Sequence, residues 1–422
     1  MNISKTLFLI LLSGLIACGT PQDDTSYVVN DQVSSRIDST LNSLVESDIV
    51  AGASALIFEK NKETYFYATG HADREAQVPM DRKTLAIIYS MTKPVTGTAL
   101  MTLYDKGAFQ LDDPLSKYAP EFADMKVYAG MDSATGAMIL EPLDRPITIR
   151  DITRHTAGFI NNPNMPVLGE LYTKDNPLNP GNTLVQMAEK MGKLPLMFQP
   201  GTQWAYGPCV DVQAFLVERL SGQPYADYVQ ENVLTPLKMT ETRYFVPESD
   251  RDRMSAMYRK VDGVLTQLPD EEAHAFNINH QVLTPGGWGL TSTVDDYMRF
   301  ARMLVNGGTL DGATVRKPET VKLMATNHLD DSISQRMWLP SKGQVGFGID
   351  FAVRMRPPAS AEENNGVVGE FFWDGAASTL FWVDPENELT AVLFVQIMPF
   401  AGVVHKKFRD AVYGPYIPAA AQ

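Results

Sequence analysis

Apolar residues recur every three to four positions at Val33, Ile37, Leu41, Leu44 and Val45. That spacing puts them on one stripe and predicts an amphipathic helix over residues 33–47. The period then changes. Two runs rich in β-branched and aromatic residues, 53–59 and 63–69, flank the polar pair Asn61-Lys62 and predict a hairpin. Residues 90–104 predict a second helix, closed by a turn at Lys106-Gly107. Residues 111–285 read as mainly helical with loops. Within them, 161–182 is so rich in Asn and Pro that it predicts a long structureless segment, often a lid or binding loop. Ser292-Thr293 followed by Asp295-Asp296 predicts a capped helix that ends near Gly307-Gly308. Strands return at 371–373, 379–383 and 389–395, with a turn at Asp384-Pro385-Glu386-Asn387 before the last. Strands at both ends and helices between them predict an α+β fold: one sheet closed by both ends of the chain, with a helical insertion.

The start of the chain follows a different logic. Lys5 precedes an apolar run from Leu7 to Ala17. The run is shorter than the roughly 20 residues a membrane-spanning helix needs and fits the apolar region of a secretory signal. Leu15-Ile16-Ala17-Cys18 resembles a bacterial lipobox, which implies cleavage before Cys18 and lipid attachment there. An ordinary secreted protein with a chance Cys is the plainer alternative. The expected organisation is a leader over 1–17, a polar tether over 18–25, and one domain over 26–420. Its sheet part would be about 26–110 and 286–420, and its helical insertion about 111–285. The expected place is a bacterial membrane, on its periplasmic or cell-surface side, held by the Cys18 anchor.

Composition narrows the chemistry. The 422 residues carry 36 Lys+Arg against 50 Asp+Glu, a net charge of −14, with 44% hydrophobic and 20% charged residues. This is the profile of a folded protein with a substantial core. So acidic a chain argues against a nucleic-acid partner, which would need a basic face. Two cysteines, Cys18 and Cys209, exclude a Cys-rich zinc module and a disulfide scaffold. Six scattered histidines form no His-Glu-x-x-His, and there is no P-loop, no dinucleotide fingerprint and no Gly-x-Ser-x-Gly. No metal or cofactor is expected.

One short pattern carries chemistry: Ser90-Met91-Thr92-Lys93. Residues three apart share a helix face, so the hydroxyl and the amine can meet. Chance alone supplies about one Ser-x-x-Lys in such a chain, and a capping Ser beside a solvated Lys is the bland reading of the tetrapeptide. The apolar residues after Lys93 change the weighting. They bury the helix, and burial disfavours a charged lysine.

With its flanks, the segment Ile88-Tyr89-Ser90-Met91-Thr92-Lys93 resembles the nucleophile helix of the serine β-lactamase and penicillin-binding-protein superfamily. The likeness is nearest to class C β-lactamases and family VIII carboxylesterases, and it runs from about Ser34 to Tyr413. Ile147 to Ile152, with His155-Thr156-Ala157-Gly158, is similar to a segment common in these proteins. Pro200 to Pro208 is similar to the stretch around their second motif, Tyr-x-Asn. Gly369 to Ala376 sits where their third motif, Lys-Thr-Gly, belongs. The resemblance implies a β-lactamase/transpeptidase-like fold, an antiparallel sheet flanked by helices plus a helical subdomain. It implies Ser90 as nucleophile, with Lys93 and Tyr206 passing its proton. The backbone N–H groups of Ser90 and Ala376 would form the oxyanion hole, each worth about 3 kcal/mol. Gly375 would let the strand approach the substrate closely. Tyr206 as a core tyrosine and Trp373 as strand packing are the structural alternatives.

Two departures matter. Pro208 replaces the Asn of the second motif and offers neither an amide nor an N–H to a substrate. Trp373 replaces the Lys of the third, with Asp374 beside it. Both point to neutral acyl substrates, and the expected substrate-contacting set is Trp373, Asp374, Gly375, Pro208 and Trp288. Trp288, in Gly286-Gly287-Trp288-Gly289, reads equally as part of a turn. Asp151 and His155 read as a structural pair on a helix, and Cys209 as a small buried residue near the site. The expected activity is hydrolysis of a small-molecule ester, or transfer of its acyl group, through a Ser90 acyl-enzyme. A β-lactamase or D-alanyl-D-alanine carboxypeptidase, and a non-catalytic surface binding protein of the same fold, are the alternatives.

Overall fold

The computed structural model describes residues 26–160 and 162–418. The leader, Cys18 and the tether lie outside the described residues. Strands from the two ends of the chain meet in one antiparallel sheet. Its strands are β1 (Gly52–Glu59), β2 (Lys62–Asp73), β3 (Val78–Pro79), β4 (Val345–Phe347), β5 (Ala352–Arg354), β6 (Phe371–Asp374), β7 (Leu380–Asp384) and β8 (Leu389–Phe394). They lie in the order β4-β5-β6-β7-β8-β1-β2-β3. The β1–β8 pair makes the closure, with Ser54 opposite Phe394 and Glu59 opposite Leu389.

The helices that concern the site are α1 (Asp31–Glu46), α2 (Thr92–Asp105), α3 (Ile149–Thr153), α4 (Leu168–Asp175), α5 (Cys209–Ser221), α6 (Val294–Val305) and α7 (Gly402–Tyr413). Successive strand residues point to opposite faces, which places two of them. Tyr65, opposite Ile57, sends its hydroxyl to Asp38 of α1 at 2.8 Å. The next residue of β1, Phe58, faces the other way and lies 4.4 Å from the Arg302 guanidinium of α6. Helices therefore cover both faces, which explains why every residue of β8 is buried rather than every second one. The capped helix expected after Thr293 is α6, with the Asp296 N–H donating to Thr293 Oγ1 at 3.2 Å.

Three expectations need correction. The segment 161–182 is not structureless, because α4 lies inside it. The stretch 111–285 contains two hairpins besides helices, Lys126–Met131 with Met138–Pro142 and Tyr258–Val261 with Val264–Gln267. Asp151 and His155 do not pair. α3 ends at Thr153, and His155 has a left-handed backbone (φ 59°) that swings its ring away. Asp151 instead accepts from Arg145 at 2.6 and 2.9 Å and from Arg154 at 3.2 Å.

Candidate active site

Ser90 sits in a tight 3-10 turn, Tyr89–Met91, that leads into α2. The turn is held from both sides. The Ile88 N–H donates to the Leu290 carbonyl at 3.0 Å, and the Met91 N–H to the Ile88 carbonyl at 2.9 Å. Tyr89 has φ 42°, a left-handed conformation that a non-glycine residue adopts at a cost of roughly 1–3 kcal/mol. Such strain is retained where the surroundings fix it, and here it precedes the serine directly.

α2 is buried along nearly its whole length, from Thr92 to Leu103. Lys93, one turn after Ser90, is 5% exposed. Its Nζ donates to Ser90 Oγ at 3.1 Å and to the Gly287 carbonyl at 2.6 Å. The same Nζ lies 4.6 Å from the centre of the Tyr206 ring. Ser90, Lys93 and Tyr206 thus converge from two separate stretches of sequence.

An aromatic frame holds Tyr206. Its ring centre is 4.9 Å from His155, 5.0 Å from Trp338 and 5.5 Å from Trp373. His155 is fully buried, and burial holds its imidazole well below the ordinary histidine range, so it packs here as a neutral ring.

Ser90 and Tyr206 open onto a cavity of about 350 Å³ lined also by Trp338, Ser341, Lys342, Trp373, Asp374, Ala376 and Phe400. Of the residues expected to meet substrate, Trp373 and Asp374 line it. Ala376, expected in the oxyanion hole, does too. The other three do not. Pro208 is buried at the start of α5. Trp288 packs against Phe276, ring centres 4.4 Å apart and planes tilted by 50°, in a neighbouring hollow with Ile87, Tyr89 and Pro180. Gly375 makes its close approach to the protein. A Cβ there would clash with Thr379 Oγ1 and stand 2.6 Å from the Ile88 carbonyl oxygen. Glycine lets the β6–β7 turn lie directly against the Ser90 turn, which brings Ala376 to the cavity. Cys209 is buried, with its thiol pushed up by burial, and His280 stacks on Phe245 away from the cavity.

Sequence reasoning missed Lys342. It pairs with Asp374, and its Nζ lies 4.1 Å from the Phe400 ring centre and 5.5 Å from that of Trp338. The anion left in the third motif therefore has a cation on it, and the cavity wall is a neutral pair among aromatic faces. His405 stands behind, with Nδ1 3.9 Å from Asp374 Oδ2 and its ring bonded to the Ser378 carbonyl at 2.9 Å. Nothing in the local pattern of Trp338-Leu339-Pro340-Ser341-Lys342 announces this. Only the missing cation at 373 could have prompted a search for another.

Known proteins share this arrangement's framework. The β-lactamase family model matches residues 37–413. Protein Rv1367c of Mycobacterium tuberculosis is 32% identical over 374 residues, 85% of this chain and 89% of that protein. Esterase EstB of Burkholderia gladioli is 28% identical over 399 residues, 90% of this chain and 95% of the esterase. Unliganded simvastatin synthase (LovD) from Aspergillus terreus superposes with a TM-score of 0.78 over 91% of this chain and 98% of its own, at 22% identity, which speaks to fold alone. Since the family model spans nearly all the described residues and a relative exceeds 30% identity along most of the chain, this protein belongs to the β-lactamase family.

Proposed function

We propose that the chain is a serine hydrolase that cleaves small carboxylic esters, or transfers their acyl group, through an acyl-enzyme on Ser90. The observation that carries this reading is the Lys93 Nζ donating to Ser90 Oγ at 3.1 Å, beside Tyr206, at an aromatic-walled cavity. In this reading Ser90 Oγ attacks the ester carbonyl and gives up its proton to the Lys93–Tyr206 pair. The Ser90 and Ala376 N–H groups receive the developing oxyanion. The alkoxide leaves with the returned proton, and water or a second alcohol then attacks the acyl-enzyme.

The cavity supports the neutral-substrate side of the proposal. Lys342 and Asp374 neutralise each other, so the wall offers no net charge to a substrate carboxylate. The esterase among the relatives agrees with an ester-directed reading. The test is turnover of p-nitrophenyl acetate and butyrate by protein lacking residues 1–18, beside a Ser90→Ala control and with nitrocefin in parallel. Ester turnover that disappears in the control is the expected outcome. Nitrocefin cleavage exceeding ester cleavage would replace this reading by the β-lactamase one. Absence of Ser90-dependent turnover would favour the binding-protein alternative. The proposal includes a lipid anchor at Cys18, for which labelled palmitate should enter the wild-type chain and not Cys18→Ser.

A further inference from the structure

The segment Pro285–Gly287 passes behind Lys93, and side chains hold it at four points. Tyr244 donates to the Pro285 carbonyl at 2.7 Å, and Thr96 to the Gly286 carbonyl at 2.6 Å. Lys93 donates to the Gly287 carbonyl at 2.6 Å. The fourth is Asp211 of α5, whose Oδ1 accepts the Gly287 N–H at 3.0 Å. Gly287 is therefore clasped between the lysine and a carboxylate. A Cβ on it would stand 3.1 Å from Asp211 Oδ2 and 3.3 Å from Lys93 Nζ. A side chain there would press on both groups, which would have to give way by a few tenths of an ångström.

Asp211 is buried, at 3% exposure. Its position follows from α5. Pro208, which stands where the second motif has Asn, precedes that helix, and Asp211 is three residues further on the same face. A second carboxyl, Asp350, lies in the same interior and accepts from Gln213 Nε2 at 3.0 Å. Its other oxygen is buried without a partner among the described residues, and burial pushes it well above the ordinary carboxylate range. Asp350 is thus the neutral member. Burial raises the Asp211 carboxyl too, but there Lys93 and the N–H groups of Gly287 and Gly286 oppose the rise and favour the carboxylate.

We propose that Asp211 is a positioning residue for Lys93: it fixes the Gly287 peptide that receives the lysine and supplies the buried negative charge opposite it. The inference rests on the reading of Ser90, Lys93 and Tyr206 as the reacting groups. Asp211 touches no substrate in this scheme. It holds the amine at one place, within reach of Ser90 Oγ and beside the Tyr206 ring.

The titratable groups around the pair are few. Tyr206, His155, Asp211 and Asp350 face Lys93. Lys93, Cys209, Tyr172, Tyr225 and Tyr244 face Asp211. Asp211→Asn keeps the shape and the acceptor for the Gly287 N–H and removes only the charge. The expected result is a fall in kcat for the p-nitrophenyl ester of about tenfold or more, with KM nearly unchanged. Loss of a neighbouring negative charge favours proton release from the amine. The limb of the pH–rate profile governed by Lys93 should therefore move to lower pH. A purely structural role would lower the rate and leave the limb where it is.

A thermal-unfolding cycle with Lys93→Met decides the same question without catalysis. D211N should be less favourable to Tm in the wild-type background than in K93M, because only with Lys93 present does the carboxylate face a cation. In K93M, Asp211 has lost its cation, and D211N should leave Tm unchanged or raise it. If D211N alone does not fold, the K93M and K93M/D211N pair still gives the comparison. Equal Tm changes in both backgrounds, with an unmoved pH limb, would overturn the proposal. Absence of ester turnover in the wild type would defeat the ester reading and leave the cycle to judge Asp211.

Discussion

Asp374 would be a buried anion in the cavity wall were it not for Lys342, 32 residues earlier in the chain. The two side chains are 8% and 10% exposed. Breaking a buried pair by removing one member leaves the other uncompensated, at a cost of roughly 3–5 kcal/mol. Lys342→Met should therefore cost about 3 kcal/mol in urea unfolding, and K342M/D374L should recover at least half of that. In the single variant, esters with an anionic acyl group should show a raised KM relative to neutral ones. Equal stability of K342M and wild type would mean that water already screens Asp374. At this scale the sequence was legible only where a motif marked it. Ser90, Lys93, Tyr206, Trp373, Asp374 and Ala376 were readable because each lies in or beside a recognisable short pattern. Lys342, Trp338 and Phe400 lie in segments without periodicity and reach the cavity through tertiary folding alone. Pro208 and Trp288 failed as pocket residues for the complementary reason: closeness in sequence to a motif does not fix where a side chain points.

The elements that carry the third motif are clamped from behind. Glu370, just before β6, accepts from Arg354 of β5 at 2.7 Å and from Arg409 of α7 at 2.8 Å, all three side chains fully buried. Arg409 also lies 4.6 Å from the ring centres of Phe372 and Trp382, on β6 and β7. One carboxylate thus ties two strands and the C-terminal helix together. Glu370→Gln removes the charge between two guanidinium groups and should lower unfolding stability by about 3–5 kcal/mol, measured by denaturant titration. Because the clamp does not touch the cavity, KM of the surviving folded protein should stay near the wild-type value. A loss below 1 kcal/mol would assign α7 docking to its apolar face instead. The hydrophobic pattern identified α1, α2, α6 and five strands of the main sheet, but not β3, β4, β5 or α7. It missed α4, which starts after Val167 in a left-handed conformation (φ 65°) without a side-chain cap and ends at Asn176, also left-handed. A short helix flanked by Pro and Asn offers no start signal to read. The two hairpins within 111–285 were hidden similarly, since they lie partly exposed outside the main sheet and lack a continuous apolar face.

The response to acid is a property of the whole molecule, because groups of both signs contribute. Burial depresses His405 from 6.5 to about 4, against the pull of Asp374, and burial also lowers His155 and His328. Unfolded, such an imidazole takes up a proton near pH 6.5; folded, His405 does so only near 4. Between those values the unfolded chain binds more protons, so stability is full above about pH 6.5 and falls as pH drops toward 4. The displacement corresponds to about 3 kcal/mol for His405 at 1.36 kcal/mol per pH unit. Asp211, Asp296 and Asp350 act oppositely. Their carboxyls are raised by burial, so the folded chain binds the extra proton and gains stability as pH falls. His405→Gln separates these contributions, because Gln can still donate to the Ser378 carbonyl but cannot become a cation. The decline in unfolding free energy between pH 7 and 4.5 should be shallower in H405Q than in wild type, with His155 and His328 still adding to the slope and the raised carboxyls opposing it. The site should register the same event. A protonated His405 stands 3.9 Å from Asp374 and competes with Lys342 for it, so activity and stability should fall together in wild type and separate in H405Q. Parallel slopes in the two proteins would mean that His405 is hydrated in the folded state and that acid sensitivity arises elsewhere in the fold.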